Sequence, residues 1–211
     1  MREVDFWYDF LSPFSYIAFA RLGELPPDVR VTLKPVLFAG LLGHWGNTGP
    51  AELAPKRKYM YRWCHWWANS LGIPFRFPAR HPFNPLRHLR LAIACGNRHE
   101  AVARIFASVW ATGADATDET AFIGLAHELG INDVEARLND PLVKDKLRLN
   151  TEAAIAAGVF GVPSYVAGDE VFWGADALEF FKAWLADPSL LSDPEIARLD
   201  GLPVGVVRRQ G

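Results

Sequence analysis

The sequence predicts an α/β fold in which a strand–helix–strand unit and a later strand–strand–helix unit are separated by a large all-helical insertion. Three observations carry this reading. Apolar and polar residues alternate along the first nine positions. From Ala54 to Gly158 nearly every segment has a helical signature, without a convincing strand. Short β-branched and aromatic runs then return at Pro163.

In the first unit, Val4, Phe6 and Tyr8 alternate with Asp5, Trp7 and Asp9, the period of a strand with one buried face. Ser12-Pro13 opens a helix, because serine caps free amides and proline is tolerated at the first helical position. Phe14, Ile17 and Ala18 share one helical face, and Gly23 is the expected stop. A second strand is expected near Val31 to Leu37, completing a βαβ unit with a right-handed crossover. Gly40 to Pro50 is glycine-rich and reads as a loop.

About five helices are expected in the block that follows. Asn84-Pro85 and Asp140-Pro141 read as starts, and Gly96, Gly130 and Gly158 as stops. Beyond it, Pro163 to Val166 is a strand, Gly168-Asp169 a turn and Val171-Phe172-Trp173 the returning arm of a hairpin. A helix with Leu178, Phe181 and Leu185 along one face comes next, and residues 187–211 are expected to wrap the body as an extended tail. The expected division is a body built from residues 1–45 and 159–211, with an inserted helical domain over residues 46–158. This is the layout of a thioredoxin-like fold.

The composition bounds the function. The chain has 211 residues, half of them hydrophobic and 22% charged, enough to bury a real core. A formal charge of −2 gives no reason to expect nucleic acid or an anionic membrane surface as partner. No apolar run approaches the roughly 18 residues of a membrane span, and the acidic start does not read as a secretory signal. The cytoplasm is therefore the expected location. Two cysteines, Cys64 and Cys95, cannot build a disulfide framework or a four-cysteine zinc site, and both read as buried structural thiols. The six histidines are scattered without metal-ligand spacing, so no metal is expected.

Four places can carry chemistry. A helix N-terminus offers unpaired amides and about half a positive charge, which favours an anion such as a thiolate at Ser12-Pro13-Phe14-Ser15. The chain brings no sulfur of its own there, but a serine hydroxyl can donate to one supplied from outside; the bland account is that Ser12 only caps its helix. Val162-Pro163 opens a strand, and a cis bond there would turn the Val162 backbone towards that helix end, where it could pair with a peptide-like ligand. The alternative is a plain edge-strand proline. Asp176 in Trp173-Gly174-Ala175-Asp176 either receives a ligand ammonium or sits in a helix's first turn for the dipole's sake. Asn47 and Lys56, taken singly, read as a turn residue and a solvated lysine.

Taken in order, Ser12-Pro-Phe-Ser-Tyr16, Gly46-Asn-Thr-Gly-Pro50, Pro55-Lys56-Arg-Lys-Tyr59, Phe160-Gly-Val-Pro-Ser-Tyr165 and Phe172-Trp-Gly-Ala-Asp176 resemble the 2-hydroxychromene-2-carboxylate isomerase family. That family sits in the wider group of DsbA-like proteins and kappa-class glutathione transferases. The resemblance implies a glutathione site. Ser12 would hold the glutathione sulfur as thiolate, and Val162, beside Pro163, would pair with the cysteinyl backbone. Asp176 would take the γ-glutamyl ammonium, while Asn47 and Lys56 would help bind glutathione or the small aromatic substrate. It further implies a glutathione-dependent cis–trans isomerase of aromatic (naphthalene-like) catabolism, acting as a homodimer.

The alternatives are a kappa-class-like glutathione transferase or peroxidase, and a non-catalytic thioredoxin-fold binding module. The chain departs from the family pattern at Trp63 and Trp66, where relatives carry an acid and an arginine. With Trp67, these rings read as an interface between helical block and core, or as the wall of a π-lined pocket.

Overall fold

The computed structural model describes residues 1–199 and 201–206. Its centre is a four-stranded sheet of β1 (Arg2–Tyr8), β2 (Val29–Pro35), β3 (Ser164–Ala167) and β4 (Glu170–Trp173), in the order β2–β1–β3–β4. β1 runs parallel to β2, with Val4 opposite Val31 and Phe6 opposite Leu33, and antiparallel to β3, with Phe6 opposite Tyr165. Val4, Phe6 and Tyr8 are buried as their alternation predicts, but so is Trp7. Both faces of the sheet are covered there: Trp7 packs in a second apolar cluster with Val36, Leu41 and Val162.

The helical expectations hold in outline and need correction in detail. α1 (Pro13–Ala20) starts at Ser12-Pro13 as expected but ends before Gly23, which falls in a 3₁₀ turn at Leu22–Glu24. β2 begins and ends two residues earlier than expected. The glycine-rich stretch expected to be a loop is helical over its first half, as α2 (Phe38–Trp45). Packing explains why. Leu41 is fully buried, and a Cβ on Gly40 would stand only 3.0 Å from Thr151 Cγ2, so glycine lets α2 press against a neighbouring helix.

Six α-helices, not five, fill the block that follows: α3 (Ala54–Ser70), α4 (Leu86–Ala94), α5 (His99–Phe106), α6 (Glu119–Glu128), α7 (Val134–Asn139) and α8 (Pro141–Ala156). α7 has only six residues, too few for its periodicity to register. Asp118, Asp133 and Asp140 cap α6, α7 and α8 through their side chains, and Gly96, Gly130 and Gly158 follow helices at positive φ. α5 runs into a π-helical turn at Ala107–Ala111, which aims Trp110 inward. α8 returns the chain to the sheet: Asn150 Nδ2 donates to the Pro35 carbonyl at 3.0 Å, and Thr151 Oγ1 accepts from Leu37 N–H at 3.1 Å.

β3 is an interior strand, so Pro163 is not the edge-strand proline of the bland account. After β4 comes α9 (Leu178–Ala186), whose Leu178, Phe181 and Leu185 are all buried. The expected extended tail instead holds a 3₁₀ turn at Pro188–Ser192 and a short helix, α10 (Pro194–Leu199). Asp187-Pro188 and Asp193-Pro194 provide the starts: each aspartate accepts from an amide two residues on. The part of that expected tail at Asp200 and residues 207–211 lies outside the described residues. Cys64 and Cys95 are both buried free thiols; burial pushes Cys64 up to about 12 and raises Cys95 as well.

Candidate active site

β1 delivers the chain to the N-terminus of α1 through Asp9, Phe10, Leu11 and Ser12. Four backbone groups of this short connection are held. Ser12 N–H donates to the Asp9 carbonyl at 3.0 Å and Leu11 N–H to Asp9 Oδ1 at 2.9 Å. Trp110 Nε1–H donates to the Phe10 carbonyl at 2.8 Å, and His81 Nε2 lies 2.9 Å from the Leu11 carbonyl. Asp9 also accepts from Phe38 N–H at 2.9 Å, tying the start of α2 to the same turn. Its carboxyl is fully buried, and burial pushes its pKa up to about 7 although both amide bonds pull it down.

Ser12 is the N-cap of α1 and is 7% exposed. Its Oγ accepts from Ser15 N–H at 3.1 Å, so the capping account is correct as far as it goes. Capping uses an oxygen lone pair only; among the described residues the Ser12 hydroxyl proton has no acceptor. Ser15, at the other end of the same motif, is fully buried and its Oγ has no partner.

Ser12 opens onto a cavity of about 500 Å³ bounded by α1, α2, α3 and the loops before α3 and β3. Of the residues singled out in the sequence, Ser12, Asn47, Lys56 and Val162 line it together. The Val162-Pro163 bond is cis. Pro163 sits behind the wall, its carbonyl accepting from Gly174 N–H at 2.9 Å. Val162 itself is buried, and among the described residues neither its N–H nor its carbonyl is engaged by backbone or side chain. A buried pair of free backbone groups is rare unless a ligand takes them. Asn47 Oδ1 accepts from Thr48 N–H at 2.8 Å, which leaves its amide N–H groups for the cavity. Lys56, the third residue of α3, has no ion-pair partner among the described residues. Asp176 does not line the cavity. It lies in the exposed turn after β4, two residues ahead of α9, so it is neither in that helix's first turn nor its cap.

The walls are apolar. Trp63 faces the cavity and packs on Phe14 at 5.3 Å, joining α3 to α1. Trp67 stacks on Trp63 at 5.2 Å with 6° between the planes, and Trp66 points away, 63% exposed. The rings therefore serve in both expected ways, Trp63 as interface and wall and Trp67 as its backing. Several lining residues escape a reading of the sequence: Phe38, Glu52 and His81. Nothing in their local pattern marks them, since each arrives from a different loop or helix.

The arrangement suits a ligand with a nucleophilic or anionic atom at the α1 terminus, an extended backbone along Val162 and an apolar body against Trp63. Among the described residues no cluster of histidine, cysteine and carboxylate side chains fits a metal ion, and no helix is long and apolar enough to cross a membrane.

The model of the DSBA-like thioredoxin domain matches residues 3–186. A 2-hydroxychromene-2-carboxylate isomerase of Sphingobium xenophagum is 30% identical over 194 residues, covering 88% of this chain and 99% of that one. A protein of the same name from Pseudomonas putida is 34% identical over 184 residues, covering 83% and 90%. The solved structure of a 2-hydroxychromene-2-carboxylate isomerase superposes with a TM-score of 0.76 at 29% identity, over 94% of this chain and 98% of that one.

Proposed function

The chain belongs to the DSBA-like thioredoxin domain family and, within it, to the 2-hydroxychromene-2-carboxylate isomerases, and from that premise we propose that it is a glutathione-dependent isomerase. It interconverts 2-hydroxychromene-2-carboxylate and trans-o-hydroxybenzylidenepyruvate in the breakdown of naphthalene-like aromatics, as a cytoplasmic homodimer. The observation that supports this most is a hydroxyl with an uncommitted proton, Ser12, at a helix N-terminus that opens on the Trp63 wall.

The residues fit glutathione on their own chemistry. Val162 offers one free donor and one free acceptor to a peptide backbone. Lys56 offers an unpaired ammonium to a carboxylate; Asp176, outside the cavity in its exposed turn beyond Trp173, would take the γ-glutamyl ammonium only of a ligand that extends past that wall. Glutathione supplies the sulfur nucleophile whose addition to a conjugated double bond frees it to rotate. The chain's part is to hold that sulfur as an anion, with the Ser12 hydroxyl and the Phe14 amide at the positive end of α1, and to exclude water with Phe14, Phe38 and Trp63.

Calorimetric titration of glutathione into wild type and Ser12→Ala at two pH values tests the binding half. Proton release with wild type, lost in the variant, is expected. The glutathione-saturated protein should then change the absorbance of hydroxychromene carboxylate. No heat with wild type, or binding without any change in the chromene, overturns the proposal; faster turnover of a chlorodinitrobenzene-type electrophile would favour the transferase reading.

A further inference from the structure

The two nitrogens of one ring join the turn before Ser12 to Tyr61 on α3. His81 lines the cavity, and its Nε2 meets the Leu11 carbonyl, one residue before Ser12, at 2.9 Å. That contact is a hydrogen bond only if Nε2 carries a proton. On the ring's far side, Tyr61 Oη stands 2.7 Å from His81 Nδ1 and 2.7 Å from the His81 carbonyl. A phenol has one proton to donate. With Nδ1 bare, that proton must be shared between two acceptors. With Nδ1 protonated, Nδ1–H donates to Tyr61 Oη, the phenol donates to the His81 carbonyl, and Nε2–H donates to Leu11. The seat is thus complete for imidazolium and short of one proton for neutral imidazole.

The surroundings disfavour the charged ring. Burial among Phe77, Phe83 and Trp110 lowers the pKa of His81, the hydrogen bond to Leu11 opposes this, and Arg57 on α3 adds to the lowering. The charged groups around it are two cations of α3, Arg57 and the cavity-lining Lys56, and Asp9, which accepts from Leu11 N–H and whose burial favours its neutral form. Glu52 is the acid among the lining residues, and its Oε1 is engaged with Gly49 N–H at 2.7 Å. An anion entering at Ser12 would therefore be the missing counter-charge.

We infer that His81 is a positioning residue of the sulfur site: it clamps the Leu11 carbonyl beside Ser12, and takes up a proton on Nδ1, seated by Tyr61, when a thiolate occupies the cavity. This rests on the glutathione reading. The step moves protons only, with no covalent change: the bound thiol gives up one and His81 takes up part of one, so the net release on glutathione binding is below one proton. By reciprocity, whatever the thiolate does to the charge of His81, His81 does to the acidity of the bound thiol. Its chemical class of ligand is a small thiol that ionises on binding; a blocked thioether should not recruit the proton.

The test is an NMR titration of the His81 ring nitrogens in free protein, with saturating glutathione and with saturating S-methylglutathione, binding being established separately by calorimetry. The midpoint of His81 is expected to rise with glutathione and to stay in place with S-methylglutathione. Tyr61→Phe, which keeps the ring and removes only the seat, should cut that rise and leave about tenfold less bound thiolate at neutral pH, read by its ultraviolet absorbance. Glutathione that binds while the His81 midpoint stays put, or moves equally with S-methylglutathione, overturns the inference and leaves the isomerase reading standing. Failure of glutathione to bind at all overturns both.

Discussion

The indole of Trp173 packs so closely on Gly161 that a Cβ added to Gly161 would clash with Trp173 Nε1. Trp173 packs on Phe160 at 5.0 Å and is 54% exposed, so it forms a movable flank of the cavity beside Val162. Gly161→Ala must push the indole aside. Because the indole can swing into solvent, thermal stability should change little. Glutathione affinity should fall about tenfold, roughly 1.4 kcal/mol, by calorimetry.

Ser12 performs two separable tasks. Ser12→Ala removes the cap, expected to cost about 1 kcal/mol in denaturant unfolding, and also removes the hydroxyl proton proposed to serve the glutathione sulfur. Ser12→Asn restores the cap but not the hydroxyl. Stability should recover in Ser12→Asn while proton release on glutathione binding stays lost; recovery of both would mean that capping was the whole role.

Two buried groups make opposite demands on pH. Asp9 titrates near 7 in the fold against 3.8 for a free aspartate, because burial favours its neutral form. Its contribution is present at low pH and is lost as pH rises from about 4 through 7. His88, ringed by Phe10, Phe83 and Phe122, is held down to about 4 from 6.5 by burial and by Arg87. Its contribution is present above pH 6.5 and is lost as pH falls towards 4. The two slopes offset each other in wild type. His88→Phe should expose the Asp9 slope, with unfolding free energy rising on the order of 2 kcal/mol from pH 7 to 4. A flat profile in that variant would count against the burial account of Asp9.

Trp63 and Trp66 are three residues apart and face different media. Trp63→Leu should weaken a flat aromatic carboxylate severalfold without changing glutathione affinity, and Trp66→Leu should change neither. Tryptophan fluorescence quenching by the carboxylate, with and without glutathione, reads both.

How far the sequence reaches depends on whether a feature is local. Ser12-Pro13, Asp140-Pro141 and the glycine stops are readable because cap and turn chemistry act within a few residues. The two halves of the sheet are readable because strand period is local too. α2 is missed because what calls for Gly40, its close approach to Thr151, lies over a hundred positions on. The site divides the same way. Ser12, Val162 and Lys56 sit in short motifs, whereas His81 and Tyr61 matter through distances to Leu11 and to each other that no spacing encodes.

The order of the sheet also bears on how this chain is made. β1 is an interior strand, and its second neighbour, β3, is supplied by residues from the opposite end of the chain. During synthesis at about 5–20 residues per second, Phe6 and Tyr8 must wait on the order of ten seconds or more before Tyr165 emerges to cover them. The newborn βαβ unit is thus an unfinished sheet with one bare interior edge, kept in that state for as long as seven helices take to be translated. A chaperone that shields an exposed strand has its natural client in that interval, and truncation anywhere before β3 leaves the edge open for good.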